Sequence, residues 1–356
     1  MRPILALAAV ALACACSSPL DPIVDCAPVG NARPVCGFQN PEDLALLPGG
    51  RSLVISQMGE MDGSKSGSLV FFELASDAIS PAFAGTPAER RAAAPGWGEA
   101  SCTAAPDAAF SPHGLALSTR PDGTHQLLVV NHGGRESIEF FEVSDSEAGP
   151  ALSWRGCAIA PEKTWLNDVA ALPDGGFVAT NMMPRGGGLV AMLKGALGLA
   201  TGWVIEWHPD AGFSKLPGTD AAMPNGIEVS ADGESLYVDL YLADEVRKLS
   251  RKTGETLASV EIASPDNILW SPDGSLLVAS HNAPLNEMLA CGDIERGACP
   301  FHFSILALDP ESLAPRSLYE NRGAPMGAGT AALRIGDELV IGSFKGDRIV
   351  RVTLAK

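Results

Sequence analysis

The stretch LNDVAALPDGGFVATN, residues 166–181, decides the fold. Val169 to Leu172 form a short apolar run, Pro173-Asp174-Gly175 a turn signal, and Phe177 to Thr180 a second β-favouring run. Proline presets the first φ of a turn, aspartate bonds its own backbone, and glycine accepts φ > 0. The stretch therefore reads as two strands joined by a tight hairpin.

The pattern recurs along the chain. Pro48-Gly49-Gly50 stands before SLVIS, Pro121-Asp122-Gly123 before HQLLVV, and Ala231-Asp232-Gly233 before ESLYVDL. Pro272-Asp273-Gly274 precedes SLLVAS, and Gly336-Asp337 precedes ELVIGS. With 166–181 this makes six units, roughly 40 to 75 residues apart, the spacing of propeller blades. The expected fold is all-β: a six-bladed β-propeller whose twisted four-stranded blades bury both faces against their neighbours around a central channel. Residues 193–206 (LKGALGLATGWVIE) are the main stretch of helical periodicity and are expected to form a short cap helix over one end. Alternating strands and helices of a parallel sheet are thereby disfavoured. The run Gly327-Ala328-Gly329-Thr330-Ala331-Ala332 imitates a dinucleotide loop but leads into a strand, so it reads as blade backbone.

Four units carry a polar residue at one fixed offset. Glu42, Asn167, Asn225 and Asp266 each lie eight residues before the turn glycine, Gly50, Gly175, Gly233 and Gly274 respectively. Equal offsets in equivalent blades place them at one level of the innermost strands, facing one centre. Asn267 adds an oxygen beside Asp266, and Asp43 and Asp168 add a second carboxylate layer. Turn chemistry alone explains a single Asp or Asn at such a place. Four at one offset point instead to a ring of hard oxygen donors, which suits Ca²⁺ with its six to eight flexible oxygen ligands.

Composition narrows the function classes. A net charge of -17 argues against the basic patches that nucleic acid requires, so no nucleic-acid partner is expected. No G-x-S-x-G elbow and no HExxH is present, which disfavours a serine hydrolase and a zincin. Arg2, the apolar run Ile4 to Ala15, and Cys14 and Cys16 ahead of Ser17-Ser18 read as an export signal of lipoprotein type. The expected organisation is a signal peptide at 1–16, an N-terminal tether at 17–40 and the propeller at 41–356. The expected location is the periplasm, or the outer membrane of a bacterium through a lipid anchor, with membrane contact only there. Six further cysteines in an exported chain favour disulfides. Cys291 and Cys299 bracket one polar loop and are expected to pair; Cys26 with Cys36 and Cys102 with Cys157 complete the expected set.

The chain resembles the paraoxonase-type lactonases, within the wider superfamily that includes the gluconolactonases. The matching segments include PEDLALLPGG, SPHGLAL, LLVVNHGGRESIEFFEV, LNDVAALPDGGFVATN, MPNGIEVSADGESLYV, DNILWSPDGSLLVASHN and GTAALRIGDELVIGS, in the family's order. The resemblance implies a six-bladed propeller with one catalytic and one structural Ca²⁺. It implies Glu42, Asn167, Asn225, Asp266 and Asn267 at the catalytic ion, and Asp43, Asp168 and the carbonyl of Leu115 at the structural one. It further implies His113 as general base, His132 as its partner, and His281 as another pocket histidine, acting on a small-molecule lactone or ester. His125, His208 and His302 sit in turn-like or peripheral contexts.

Two departures stand out. The family often places an acidic residue after Thr-Asn in the third blade, where this chain has Thr180-Asn181-Met182. No cysteine follows Cys299, so closure of the ring is expected from strand pairing. Two other readings stay open: a gluconolactonase-like hydrolase of sugar lactones, and a non-catalytic propeller that uses calcium for stability and its top face for binding.

Overall fold

A computed structural model describes residues 20–60, 64–89, 91–146 and 149–354. The expected signal segment lies outside the described residues. Six four-stranded antiparallel sheets follow one another around a ring. Their first strands are Pro41–Leu46, Pro112–Thr119, Leu166–Ala171, Pro224–Val229, Pro265–Trp270 and Gly329–Ile335. Each of these packs against the first strands of both neighbouring sheets, and the sixth returns to the first, so they line the central channel. The chain is thus a six-bladed β-propeller, and the six turn signals are the hairpins that link each inner strand to its second strand.

The second strand of each blade is short, rich in β-branched and aliphatic residues, and buried on both faces, whereas the outermost strands of the fourth and fifth blades are largely exposed. Burial is organised between blades. Phe83, Phe110 and Phe141 pack edge to face between the first and second, with ring centroids 5.2 Å (Phe83–Phe110) and 4.8 Å (Phe83–Phe141) apart. Between the second and third, Phe140 packs edge to face on Phe177 and Trp207, which stack on each other. Comparable apolar clusters fill the other four junctions, ending with Phe38, Leu44 and Phe72 against Ala331 and Val340 between the sixth and first.

Three findings correct or refine the expectations. First, residues 32–36 belong to the propeller and not to a tether. Ala32–Cys36 is the outermost strand of the sixth blade, pairing antiparallel with Arg348–Thr353, with Ala32 opposite Val352 and Cys36 opposite Arg348. Pro34 is tolerated there because an edge strand needs fewer ladder donors. The ring therefore closes by strand pairing. Second, helix α1 spans Gly188–Ala196, earlier than the expected 193–206. Gly198, at φ +69°, ends it, and Trp203–His208, rich in aromatic and β-branched residues, is instead a strand of the third blade. A second helix, α2, spans Leu285–Cys291. Third, the run 327–332 leads into the inner strand of the sixth blade, as read.

The disulfides are Cys26–Cys36, Cys102–Cys157 and Cys291–Cys299, the expected pairs. Three disulfides fit an oxidising compartment. No helix among the described residues is long and apolar enough to cross a membrane.

Candidate active site

Every inner strand carries a β-bulge near its start. The ladder to the second strand breaks between Pro41 and Asp43, Pro112 and Leu115, Leu166 and Val169, Pro224 and Ile227, Pro265 and Ile268, and Gly329 and Ala332. A bulge leaves residues unpaired and re-aims their side chains. The residues so presented are Glu42, His113, Asn167, Asn225, Asp266 and Thr330, one from each blade. Behind them come Asp43, Gly114, Asp168, Gly226, Asn267 and Ala331. Four of the six strands are entered through a non-glycine residue in the left-handed region: Asn40, Met223, Ser264 and Ala328. Such conformations cost about 1–3 kcal/mol each and cluster at functional sites.

Counting back from the turn found only four of these six. The inner strand of the second blade runs Pro112–Thr119, two residues longer than that of the first, so His113 lies ten residues before Gly123. Thr330 lies six before Gly336. Counting from the strand's start, marked by proline in four blades, recovers all six.

The inner layer is held from blade to blade. Asn267 Nδ2 donates to Glu42 Oε1 at 2.8 Å, and His113 Nε2 lies 3.6 Å from the same oxygen. Asp266 bonds Asn225 and has its Oδ2 3.6 Å from His281 Nε2. Thr330 Oγ1 donates to the Glu42 carbonyl and Thr180 Oγ1 to that of Asn225. In the second layer, Asp43 accepts the N–H groups of Leu44 and Leu115, and Asp168 those of Val169 and Ile227. Leu115, expected as a carbonyl donor, is thus tied to Asp43 by its amide. Gly114 is required by this crowding, because a Cβ there would sit 2.5 Å from Asp168 Oδ1.

All these groups are buried, and their electrostatics are one-sided. Burial raises the carboxyls of Asp43, Asp168, Asp266 and Asp239 well above their ordinary range. Repulsion adds to it: Glu42 acts on Asp43 and Asp266, Asp43 on Asp168, and Asp266 on Asp239. Asp239, on the second strand of the fourth blade, was not foreseen. It stands where the third blade has Thr180 and the first has Ser56.

Glu42 Oε2, Asn167 Oδ1, Asn225 Oδ1 and both carboxyl oxygens of Asp239 are buried without a hydrogen-bond partner. An unsatisfied buried polar group costs about 1–3 kcal/mol, more for a charged one. A hard cation would satisfy these oxygens and offset the carboxylate repulsion, so the residues present fit Ca²⁺. No three His, Cys, Asp or Glu side chains among the described residues close on a single point. A cation here therefore depends on the amide oxygens of the Asn residues as well as on carboxylates.

The histidines separate by their partners. His113 Nδ1 lies 3.0 Å from His132 Nε2, and His132 Nδ1 lies 3.1 Å from both carboxyl oxygens of Glu136. Burial pulls His113 down, but Glu42, Asp266 and Asp43 outweigh it and hold the ring above its ordinary value. His132 is lowered, by burial first and by His113 and Arg185 beside it, against the pull of Glu136. In His281, Nδ1 meets Tyr241 Oη and Nε2 meets the Gly329 carbonyl, both at 3.0 Å, and burial pushes it down to about 4. With both nitrogens engaged, and with Phe301 and Phe344 packed against its ring, His281 is a wall of the channel and not a free base. His125, His208 and His302 bond Thr119, Glu206 and Glu320 away from the channel.

An apolar cluster meets the ring through Met182, whose Sδ lies 3.9 Å from Asn167 Nδ2, and through Tyr241, which bonds His281. Met182, Met183, Met223 and Tyr241 cluster with Ala191 of α1, and Met192, Leu242 and Met288 pack against them. Methionine is unbranched and adaptable, which suits a wall that must accept varied apolar shapes.

The profile of a family described as Arylesterase matches residues 39–349, which include all six inner strands. Serum paraoxonase/arylesterase 1 of Mus musculus is 31% identical over 179 residues, 48% of this chain and 49% of the relative. Serum paraoxonase/arylesterase 2 of Canis lupus familiaris is 27% identical over 244 residues, 67% of each. The chain thus spans about half to two thirds of the length of these relatives. A gluconolactonase from Xanthomonas campestris shares the fold with TM-score 0.52 at 17% identity, covering 95% of this chain and 97% of that one.

Proposed function

The chain belongs to the arylesterase family, and from that premise we propose that it is a calcium-dependent hydrolase of lactones or esters. The observation that carries the proposal is the coincidence, in one buried channel, of unpartnered oxygens on Glu42, Asn167 and Asn225 with a hydrogen-bonded histidine pair that ends on the same ring. Glu42, Asn167, Asn225, Asp266 and Asn267 would hold the working cation, and Asp43, Asp168 and Leu115 a second one below. When bound, the working cation polarises the substrate carbonyl and stabilises the negative charge that develops on its oxygen.

The chain's own groups do the rest. His113 receives its hydrogen bond geometry from His132 and turns Nε2 toward Glu42, so its free lone pair faces the ring. There it takes a proton from the attacking water and later returns it to the departing alkoxide. The methionine cluster beside the ring would exclude bulk water and receive the apolar part of the substrate, which favours aliphatic or aromatic lactones and esters over sugar lactones. His281, locked by Tyr241 and Gly329, keeps the rim in shape.

The test is turnover on a panel of aliphatic, acyl-homoserine, aryl and sugar lactones and aryl esters, with and without chelator. Turnover abolished by chelation, and cut by about 100-fold or more in His113→Gln, supports the reading. Calcium that raises the melting temperature with no turnover on any member would favour the stabilised binding propeller instead.

A further inference from the structure

Met182 leaves the third blade without a carboxylate beside the histidine pair; its Sδ lies 3.9 Å from Asn167 Nδ2 and it carries no charge. The pair nevertheless ends on a carboxylate, supplied from elsewhere. We propose that Glu136, on the loop between the second and third strands of the second blade, is the positioning residue that sets the protonation pattern of both histidines. The proposal rests on the hydrolase reading above.

Glu136 is built into place. Asn131 ties its own loop together, donating to the carbonyls of Gly133 and Arg135 and to Ser137 Oγ, while its Oδ1 accepts the N–H groups of Ser111 and Gly133. Gly133 is needed there because a Cβ would lie 1.6 Å from the Ala109 carbonyl. The loop turns back so that Glu136 meets His132, four residues earlier. Glu136 Oε1 also accepts the Leu166 N–H at 2.7 Å, at the start of the third blade. Arg185 bonds Glu136 Oε2 and, through its other terminal nitrogen, the His132 carbonyl. A carboxylate held from three directions cannot swing away from the imidazole.

The consequence is a fixed chain of protons. A carboxylate only accepts, so His132 Nδ1 must carry the proton. His132 Nε2 is then the acceptor, and the hydrogen between the rings belongs to His113 Nδ1. In the neutral pair His113 Nε2 is then the nitrogen without a proton, and it faces Glu42 and the ring. One carboxylate at the outer end thus selects the tautomer that makes a base at the inner end, as a buried carboxylate does for an imidazole in a catalytic triad.

The experiment uses the full chain with ¹⁵N-labelled histidine and an aryl acetate as probe. In the unsubstituted protein His132 is expected to show a neutral ring protonated at Nδ1. Glu136→Ala is expected to move His132 toward the Nε2-protonated form and to lower kcat about 10- to 100-fold with KM changed by less than about twofold. Glu136→Gln, which keeps an acceptor oxygen, is expected to restore the Nδ1 proton and most of the rate. The proposal is overturned if His132 is protonated at Nε2 in the unsubstituted protein, or if Glu136→Ala leaves both tautomer and kcat unchanged. It is equally overturned if Glu136→Gln keeps the tautomer but loses as much rate as Ala. Should Glu136→Ala fail to fold, the unsubstituted spectrum and the Gln variant decide. If the unsubstituted chain hydrolyses nothing, the hydrolase reading fails, and the tautomer of His132 still decides the role of Glu136.

Discussion

Asn267 Nδ2 donates to Glu42 Oε1 at 2.8 Å, joining side chains 225 residues apart across the last two blade boundaries of the ring. The bond occupies one oxygen of Glu42 and leaves the other, Oε2, buried and unpaired. Asn267 and Glu42 therefore act as one donor unit, and the site exists only when the ring is closed.

Calcium should stabilise this fold by mass action. At about 100 times its dissociation constant a ligand adds about 2.7 kcal/mol. The melting temperature is expected to rise by roughly 5 °C or more with calcium and to fall with chelator. A melting temperature indifferent to both would refute the channel as a cation site.

Asn225→Ala removes one unpaired oxygen while its backbone carbonyl still accepts Thr180 Oγ1. Calcium affinity by isothermal titration is expected to weaken about tenfold or more, equivalent to about 1.4 kcal/mol. Unchanged affinity would remove Asn225 from the donor set.

Gly114→Ala tests the packing of the second layer. Its Cβ would meet Asp168 Oδ1 at 2.5 Å and the Asn167 carbonyl at 2.7 Å. Overpacking of this kind costs about 1–3 kcal/mol. Denaturant unfolding should show that loss, together with a smaller stabilisation by calcium, because the residue displaced is a channel carboxylate.

At the outer rim, Arg251 bonds both oxygens of Glu206 at 2.9 Å and Asp174 at 3.0 Å. The hydrogen bonds from Arg251 hold Glu206 below its ordinary 4.5, against burial. A depressed folded value means that stability is full above 4.5 and is lost as pH falls through the folded value. Glu206→Gln is expected to cost about 0.5–1 kcal/mol at pH 7, solvent screening considered, and nothing measurable once both states are protonated in strong acid. A difference that persists in acid would show that the carboxylate's charge is not its source.

Much of this was legible before any coordinates. The turn at Pro173-Asp174-Gly175 and its five counterparts mark the inner hairpins, because glycine and proline there answer local backbone needs that sequence carries directly. Glu42, Asn167, Asn225 and Asp266 were legible because a constant offset survives when strand lengths are equal. Thr330 was not, since its strand lies closer to its turn, and His113 stood out only through resemblance. Glu136 and Asp239 depend on how a loop folds back and on which strand faces the channel, and both are products of packing between distant segments. The strand Ala32–Cys36 was hidden for the same reason, since its partner lies at the other end of the chain. In 193–206 the apolar run imitates one helix, but Gly198 divides it into the end of α1 and the approach to a strand.

The seam of the sixth blade carries a mechanical consequence. Arg348 is buried and donates to the carbonyls of Ile23, Asp25 and Pro325, while Cys26–Cys36 ties the segment to the outer strand. Residues 23–36 are held there by parallel restraints: that guanidinium, that staple, the Ile23–Ala298 bridge and the five ladder positions of Ala32–Cys36. The described amino-terminal segment is therefore fixed at the rim of the sixth blade, on its two outermost strands, and not on the inner strands that carry Glu42 and His113.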